Sequence, residues 1–310
     1  MDGLGDEFAR LDLPRLSVRR PSKTVFLCGG KIGEGAQTTT LSVRDFLLRQ
    51  RATFRIAGCN VVLAEDATQL YRDSKYRDLI SFEEGVAHVA ALILIIAESP
   101  GALAELGAFT LSDIISPNLK VILNHRFDAD ESFIRHGPLR RLQNEDDASV
   151  SFFPWVERKM SASPTKKSLM AVYTDIKLVI RQYINNAPQQ LPYREIGDAI
   201  IHYITYWIVH LGGAMPQNKV VEAVKDCLPA ATDKQIINAL YVLQMVRWIK
   251  LDAYGPYRYY YTLFRSDSLV YAFAGGPHDS TRFVADVSRI LKGETKAPKA
   301  ILERAVEARR

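Results

Sequence analysis

The sequence predicts an α/β protein: a Rossmann-like or flavodoxin-like parallel sheet domain, followed by an α+β winged helix-turn-helix domain. Three observations carry this reading. Short apolar runs alternate with helix-patterned stretches over the first half of the chain, the pattern of a parallel sheet covered on both faces. Two of these runs, "TVFLCGG" and "ALILIIAES", end in turn residues that open onto helices. The later part instead reads helix, helix, helix and hairpin, the order of a winged helix.

Taken in order, "TVFLCGG" is a buried strand ending in Gly29-Gly30, and "TTTLSVRDFLLRQRA" is helical. "FRIAGCNVVLAED" supplies a second strand, Gln69 to Ala90 a helix, and "ALILIIAES" a third strand. A helix from Gly101 to Leu111 and the strand "NLKVILN" follow. Past Trp155 a polar, basic connector, "ERKMSASPTKKS", leads to a linking helix from Leu169 to Asn185 and a break at "NNAPQQLP". The three later helices are "REIGDAIIHYITYWIVHLGG", "PQNKVVEAVKDCL" and "TDKQIINALYVLQMVRWI", the last with Thr232 as its N-cap. "IKLDAYGPYRYYYTLF" gives two β-rich arms around Tyr254-Gly255-Pro256, anchored by Trp248 and Ile249. The charged "LKGETKAPKAILERAVEARR" reads as a surface helix. The expected division is therefore 1–22, an N-terminal extension; 23–160, the sheet domain; 161–190, a linker helix; and 191–310, the winged-helix domain with a charged tail.

A chain of 310 residues that is 47% hydrophobic can give two domains a core each. A net charge of +5 and a pI near 9.0 suit an anionic partner such as nucleic acid without specifying one, because the charge is spread along the chain. Three scattered cysteines, Cys28, Cys59 and Cys227, make neither a disulfide framework nor a zinc site, and they fit a reducing cytoplasm. No stretch approaches the roughly 18 to 20 apolar residues of a membrane helix, and "MDGLGDEFARLDLPRLSVRR" lacks the apolar core of a secretory signal.

In doubly wound sheets ligands bind outside the carboxyl ends of the strands, where strand order reverses. "LILIIAESPGALAELGAF", residues 92–109, lies at such an end. The turn Ser99-Pro100-Gly101 exposes the first N–H groups and the positive dipole end of the next helix. Glu105, about one turn inside, is expected to stay ionised at neutral pH and to act as nucleophile or as electrostatic partner to an oxocarbenium-like sugar carbon. Spacing alone equally allows Glu98 to cap the turn and Glu105 to face solvent. Gly29 and Gly30 either admit a phosphate to the backbone or only form a turn; they are not a complete G-x-G-x-x-G. Glu83 and Glu84 point about 100° apart, so at most one serves as a second carboxylate for leaving-group protonation or ribose binding. In "ESFIRHGP", Ser132 and His136 offer a helix start that could bind a phosphate, or an ordinary surface histidine. No metal-ligand spacing and no Ser-His-Asp set is present. On the third helix of the C-terminal domain, Lys234 would meet phosphate while Gln235 and Asn238 read bases; on the hairpin, Arg258, with Tyr257 and Tyr259, would touch the backbone.

"FLCGG" at 26–30, "AED" at 64–66, "ESPGALAELGAF" at 98–109 and "ESFIRHGPLRRL" at 131–142 together resemble the nucleoside deoxyribosyltransferase-like effectors of bacterial retron anti-phage defence systems. The match runs in order along the first domain, and the appended winged helix fits the same family. The resemblance implies that Glu105 is the nucleophile that attacks the anomeric carbon. It favours Glu83 over Glu84, and it places Cys28, Gly29, Gly30, Glu65, Glu98, Ser99, Gly101, Ser132 and His136 around the substrate. Those transferases carry an aspartate six residues before the nucleophile; Ser99 stands there in this chain, so base recognition differs, with Glu98 as a candidate. The resemblance further implies a toxic N-glycosidase of abortive infection that needs no cofactor and takes a nucleotide, foremost NAD, as substrate. Its implied partners are the retron reverse transcriptase and its msDNA, which restrain it until infection, and further copies of itself in a homo-oligomer or higher-order assembly. Two alternatives remain: a DNA-binding winged-helix regulator with a nucleotide-sensing first domain, and a deoxyribosyltransferase or phosphoribohydrolase. The last lacks its "PGGxGT" segment, which "ESPGALAE" replaces.

Overall fold

The computed structural model describes residues 3–33, 39–50, 52–56, 58–66, 74–158, 163–275 and 279–309. The apolar runs of the first half become β1 (Lys23–Cys28), β2 (Cys59–Leu63), β3 (Leu92–Ile96) and β4 (Leu119–Asn124), joined by a short β5 (Val150–Phe153) that no sequence signal marked. All pair in parallel, in the order β2-β1-β3-β4-β5. This is the 2-1-3-4-5 order of flavodoxin-like sheets, whose switch point lies between β1 and β3. The connecting helices are α1 (Val43–Arg49), α2 (Pro100–Leu111), α3 (Arg140–Glu145) and α4 (Lys166–Asn186). β3 is buried along its whole length, as a strand covered on both faces must be.

Leu169, Val172, Ile176, Ile180 and Ile184 recur at helical spacing on α4 and are buried with Val25, Leu27, Leu92 and Leu94 of the sheet. The helix expected to link two domains is thus a layer of the sheet unit, which comprises Lys23–Glu65 and Ala90–Pro188. A second compact unit gathers Met1–Ser22, Asp66–Val89 and Gln189–Arg310. Compactness therefore divides the chain differently from the consecutive segments 1–22, 23–160, 161–190 and 191–310. The beginning of the helix expected from Gln69 and residues 159–162 of the basic connector lie outside the described residues.

In the second unit the N-terminal segment is woven in. Strand Ser17–Arg19 pairs between Gln190–Pro192 and Leu269–Val270, and Phe8 lies against Trp207 at 5.9 Å between ring centroids. The later part forms α5 (Ile200–Gly212), β6 (Met215–Pro216), α6 (Gln217–Cys227), α7 (Asp233–Met245), β7 (Ile249–Tyr254) and β8 (Tyr257–Thr262), with the strands in the order β6-β8-β7. Thr232 caps α7 as expected, in a reciprocal capping box with Gln235. Trp248 is buried between Tyr203 and Tyr206, and its indole N–H donates to Ser22 Oγ at 3.1 Å. The charged C-terminal stretch forms helices Ser280–Thr295 and Lys299–Ala308. Ile301 and Ala305 of the second helix are buried against Tyr259 and Tyr261.

If α4 is core, Ile176→Ala removes a fully buried side chain and lowers stability by about 2–5 kcal/mol. Leu178→Ala, at an exposed position of the same helix, changes it by less than about 0.5 kcal/mol. Urea unfolding of the two variants measures the contrast.

Candidate active site

β1 and β3 lie side by side in register, Cys28 opposite Ile95, so the turns after them meet. One carboxylate fastens the two turns together. Glu98, just past β3, accepts the N–H of Gly30 at 3.2 Å, of Arg44 at 2.9 Å, and of Val43. It thereby holds the glycine turn after β1 and satisfies the first donors of α1. Next to it Ser99 caps α2 by accepting the Ala102 N–H at 3.2 Å, and its hydroxyl donates to Gly29 O at 3.5 Å. Burial raises the Glu98 pKa, while the three N–H groups and Arg44 pull it back. Gly30 is required here: a Cβ would stand 2.6 Å from Ser42 Cβ and 3.0 Å from Glu98 Cδ. The glycine pair thus serves close packing of the turn against protein atoms.

The loop into α1 is tied from the other side by Asp45, which accepts from Gly33 N and Leu41 N, both at 3.1 Å, and from Arg49 Nε at 2.8 Å. Ser42 caps α1 and donates to Lys31 O at 2.8 Å. Arg44 then runs inward. Its Nε donates to Gly30 O at 2.8 Å and its Nη1 to Leu27 O at 3.2 Å, and its guanidinium forms a two-pronged pair with Glu65, just past β2. The Arg44 side chain is 2% exposed and that of Glu65 is 59% exposed. A cation in a first helical turn opposes the helix dipole, and Glu98 and Glu65 offset it.

Glu105 sits in the second turn of α2, half-buried. The Cys28 thiol, at the end of β1, hydrogen-bonds its carboxylate; the charges of Arg44 and Glu65 reach it from α1 and from the end of β2. Its pKa is raised, chiefly by burial and further by Glu65, against the lowering effects of the thiol and Arg44. Burial thus acts on this group against the stabilisation of its ionised form expected at a helix start. Cys28, Gly29, Gly30, Glu65, Glu98, Ser99 and Glu105 are brought to one place. Gly101 lies nearby in the first turn of α2, with open space where a Cβ would point.

Other candidates are placed elsewhere. Ser132 accepts from Arg135 N at 3.4 Å and so caps its own turn, while His136 is exposed and 3.1 Å from Glu131 Oε2. His136 lines a cleft with Asp128, Glu131, Arg135 and Arg140. Glu83 belongs to the second unit, 5% exposed on helix Leu79–Ala87. There, too, Gln235 spends its side-chain carbonyl on Thr232, at 3.0 Å from N and 2.8 Å from the hydroxyl. Asn238 is buried and accepts the Lys75 N–H at 3.0 Å. Lys234 and Arg258 are exposed. Among the described residues, no group of three or more His, Cys, Asp or Glu is placed to hold a metal ion, and no helix is long and apolar enough to cross a membrane.

Sequence reasoning missed Arg44 and Asp45. The available signal was "SVRDF": a serine cap followed in the first helical turn by an arginine, the charge that position disfavours.

The strand order and the carboxylates at the β1/β3 switch point define the class: a doubly wound α/β protein with an acidic site at the carboxyl ends of its strands. Residues 40–251, more than half of the chain, match the family described as STM3845 retron effector protein, and the chain belongs to that family. It is 30% identical over 128 residues, 41% of its length, to a proposed ribosyltransferase/DNA-binding protein of retron Ec86 from Escherichia coli. It is 28% identical over 131 residues, 42% of its length, to the correspondingly named protein of retron Ec73 from the same organism. The chain spans about two fifths of the length of these curated relatives, 39% and 41% respectively.

Glu98→Ala leaves three main-chain N–H groups without their acceptor and lowers stability by about 1–3 kcal/mol for each that stays buried, more than Glu98→Gln, which keeps one acceptor oxygen. Denaturant titration of both variants checks this order.

Proposed function

We propose that the sheet unit breaks the N-glycosidic bond of a nucleotide, foremost NAD, with Glu105 as nucleophile. The observation that carries this reading is the setting of Glu105: a desolvated carboxylate at the sheet's switch point, held by a thiol and near one guanidinium. In the first step the Glu105 carboxylate attacks the anomeric carbon. A C1′–O bond forms, the C1′–N bond breaks, and nicotinamide leaves with the bonding pair. Water then releases the sugar from Glu105. A raised pKa makes the ionised group more basic and a better nucleophile, provided the pH lies above it. The names of the relatives as ribosyltransferases support glycosyl chemistry.

The same names include DNA binding, and the run α5, β6, α6, α7, β7, β8 with its three-stranded antiparallel sheet supports the winged-helix reading. Membership of a retron effector family supports the reverse transcriptase and msDNA as the partners that restrain the enzyme until infection. In this reading the protein is a toxic effector of anti-phage defence.

Purified protein, freed from its partners, is expected to convert NAD to nicotinamide, and Glu105→Gln to reduce the rate by several orders of magnitude; chromatographic product analysis decides. NAD left intact by the freed wild type, or destroyed equally by the variant, ends this reading. The pH profile offers a second check. Activity should rise with pH as Glu105 ionises. Glu65→Gln removes a repelling charge and moves that limb to lower pH, whereas Cys28→Ala removes a stabilising hydrogen bond and moves it higher.

A further inference from the structure

The tip of the β7–β8 hairpin carries two large aromatic side chains that the fold does not bury. Tyr254 and Tyr257 face each other across the strands and are 43% and 63% exposed, while Tyr259, Tyr260 and Tyr261 further along β8 are buried. Gly255, at φ +59°, makes the tight reversal that presents them. The surrounding charge is positive. Residues 253–264 contain no acid, and Lys250 and Arg258 are exposed. The acid on β7, Asp252, lies 3.4 Å from Arg304 Nη1. α7, by contrast, has spent Gln235 and Asn238 internally, and its first-turn Asp233 pairs with Lys225. Base-edge readers are therefore scarce on the helix, whereas flat rings flanked by cations are available on the hairpin.

We propose that this hairpin tip is a stacking platform for unpaired bases of a single-stranded nucleic acid. Tyr254 and Tyr257 take base faces, and Arg258 and Lys250 meet the adjoining phosphates. Every base has a π-face, so such a platform tolerates sequence. A continuous duplex keeps its base faces stacked on each other and offers the rings nothing comparable. The proposal rests on the nucleic-acid-binding half of the reading above and is independent of Glu105.

The test uses full-length protein and three labelled probes of equal length: an unstructured oligodeoxynucleotide, an unstructured oligoribonucleotide and a blunt duplex, followed by fluorescence anisotropy. Replacing both tyrosines together, Tyr254→Ala with Tyr257→Ala, is expected to weaken binding of at least one single strand about tenfold or more. The single strand that loses more identifies DNA or RNA as the natural source. The paired Tyr254→Phe and Tyr257→Phe changes keep the rings and should stay within about twofold of wild type, as should duplex binding by the alanine pair. Unchanged single-strand binding by the alanine pair overturns the proposal, and so does an equal loss on the duplex. If wild type binds duplex but neither single strand, the platform fails while DNA binding stands; if it binds none of the probes, both fail.

Discussion

The site is built on a single carboxylate, that of Glu98, through which the turns after β1 and β3 become one piece. Three main-chain N–H groups converge on it. Leaving any of them buried and unpaired costs about 1–3 kcal/mol. The effect is large locally because α1 has only seven residues, too few to persist by its own hydrogen bonds. Ser42 at its cap, Asp45 in its first turn and Glu98 from across the sheet hold it in place. Gly30 is the steric counterpart of this arrangement, since only a residue without a Cβ lets Ser42 and Glu98 come so close.

From that constraint follows an uneven distribution of charge. One buried guanidinium, Arg44, serves three carboxylates. Glu98 is additionally compensated by backbone donors, and Glu65 takes both prongs of the guanidinium while facing water. Glu105 receives a thiol hydrogen bond and the field of Arg44, against its own burial and the repulsion of Glu65. It is the least compensated of the three. A perturbed carboxylate of this kind is a candidate for chemistry, which is why the proposal rests on it.

Much of this was legible in the sequence, and what was not has identifiable causes. The apolar run Leu92–Ile96 and the Ser99-Pro100 start of α2 follow from composition and capping rules, so Glu105 could be placed at a strand end from residues alone. The role of Glu98 could not, because its partners lie more than fifty residues earlier and are backbone atoms. Arg44 was hidden for the same reason: its partners at Leu27, Gly30 and Glu65 come together only once the parallel sheet forms. Strand Ser17–Arg19 and β5 are too short to show a period. Helix α4 showed its period plainly, but only the sheet beneath could reveal that its apolar stripe belongs to the core. Gln235 illustrates the opposite ambiguity, since the capping box that fixes the start of α7 uses the side chain that a base would otherwise meet.

Retron effector membership, a flavodoxin-like sheet and a poorly compensated carboxylate at its switch point are what support the proposed glycosidic chemistry at Glu105. The claim most exposed to refutation is that this oxygen forms a bond to the sugar. Incubating the protein with an NAD analogue fluorinated at the 2′ carbon of the nicotinamide ribose slows release of the sugar, and peptide mass spectrometry then locates any adduct. The account predicts one glycosyl group on the peptide that contains Glu105, with nicotinamide released in equal amount and no adduct in Glu105→Gln. An adduct on another residue, or turnover that survives in Glu105→Gln, would contradict it.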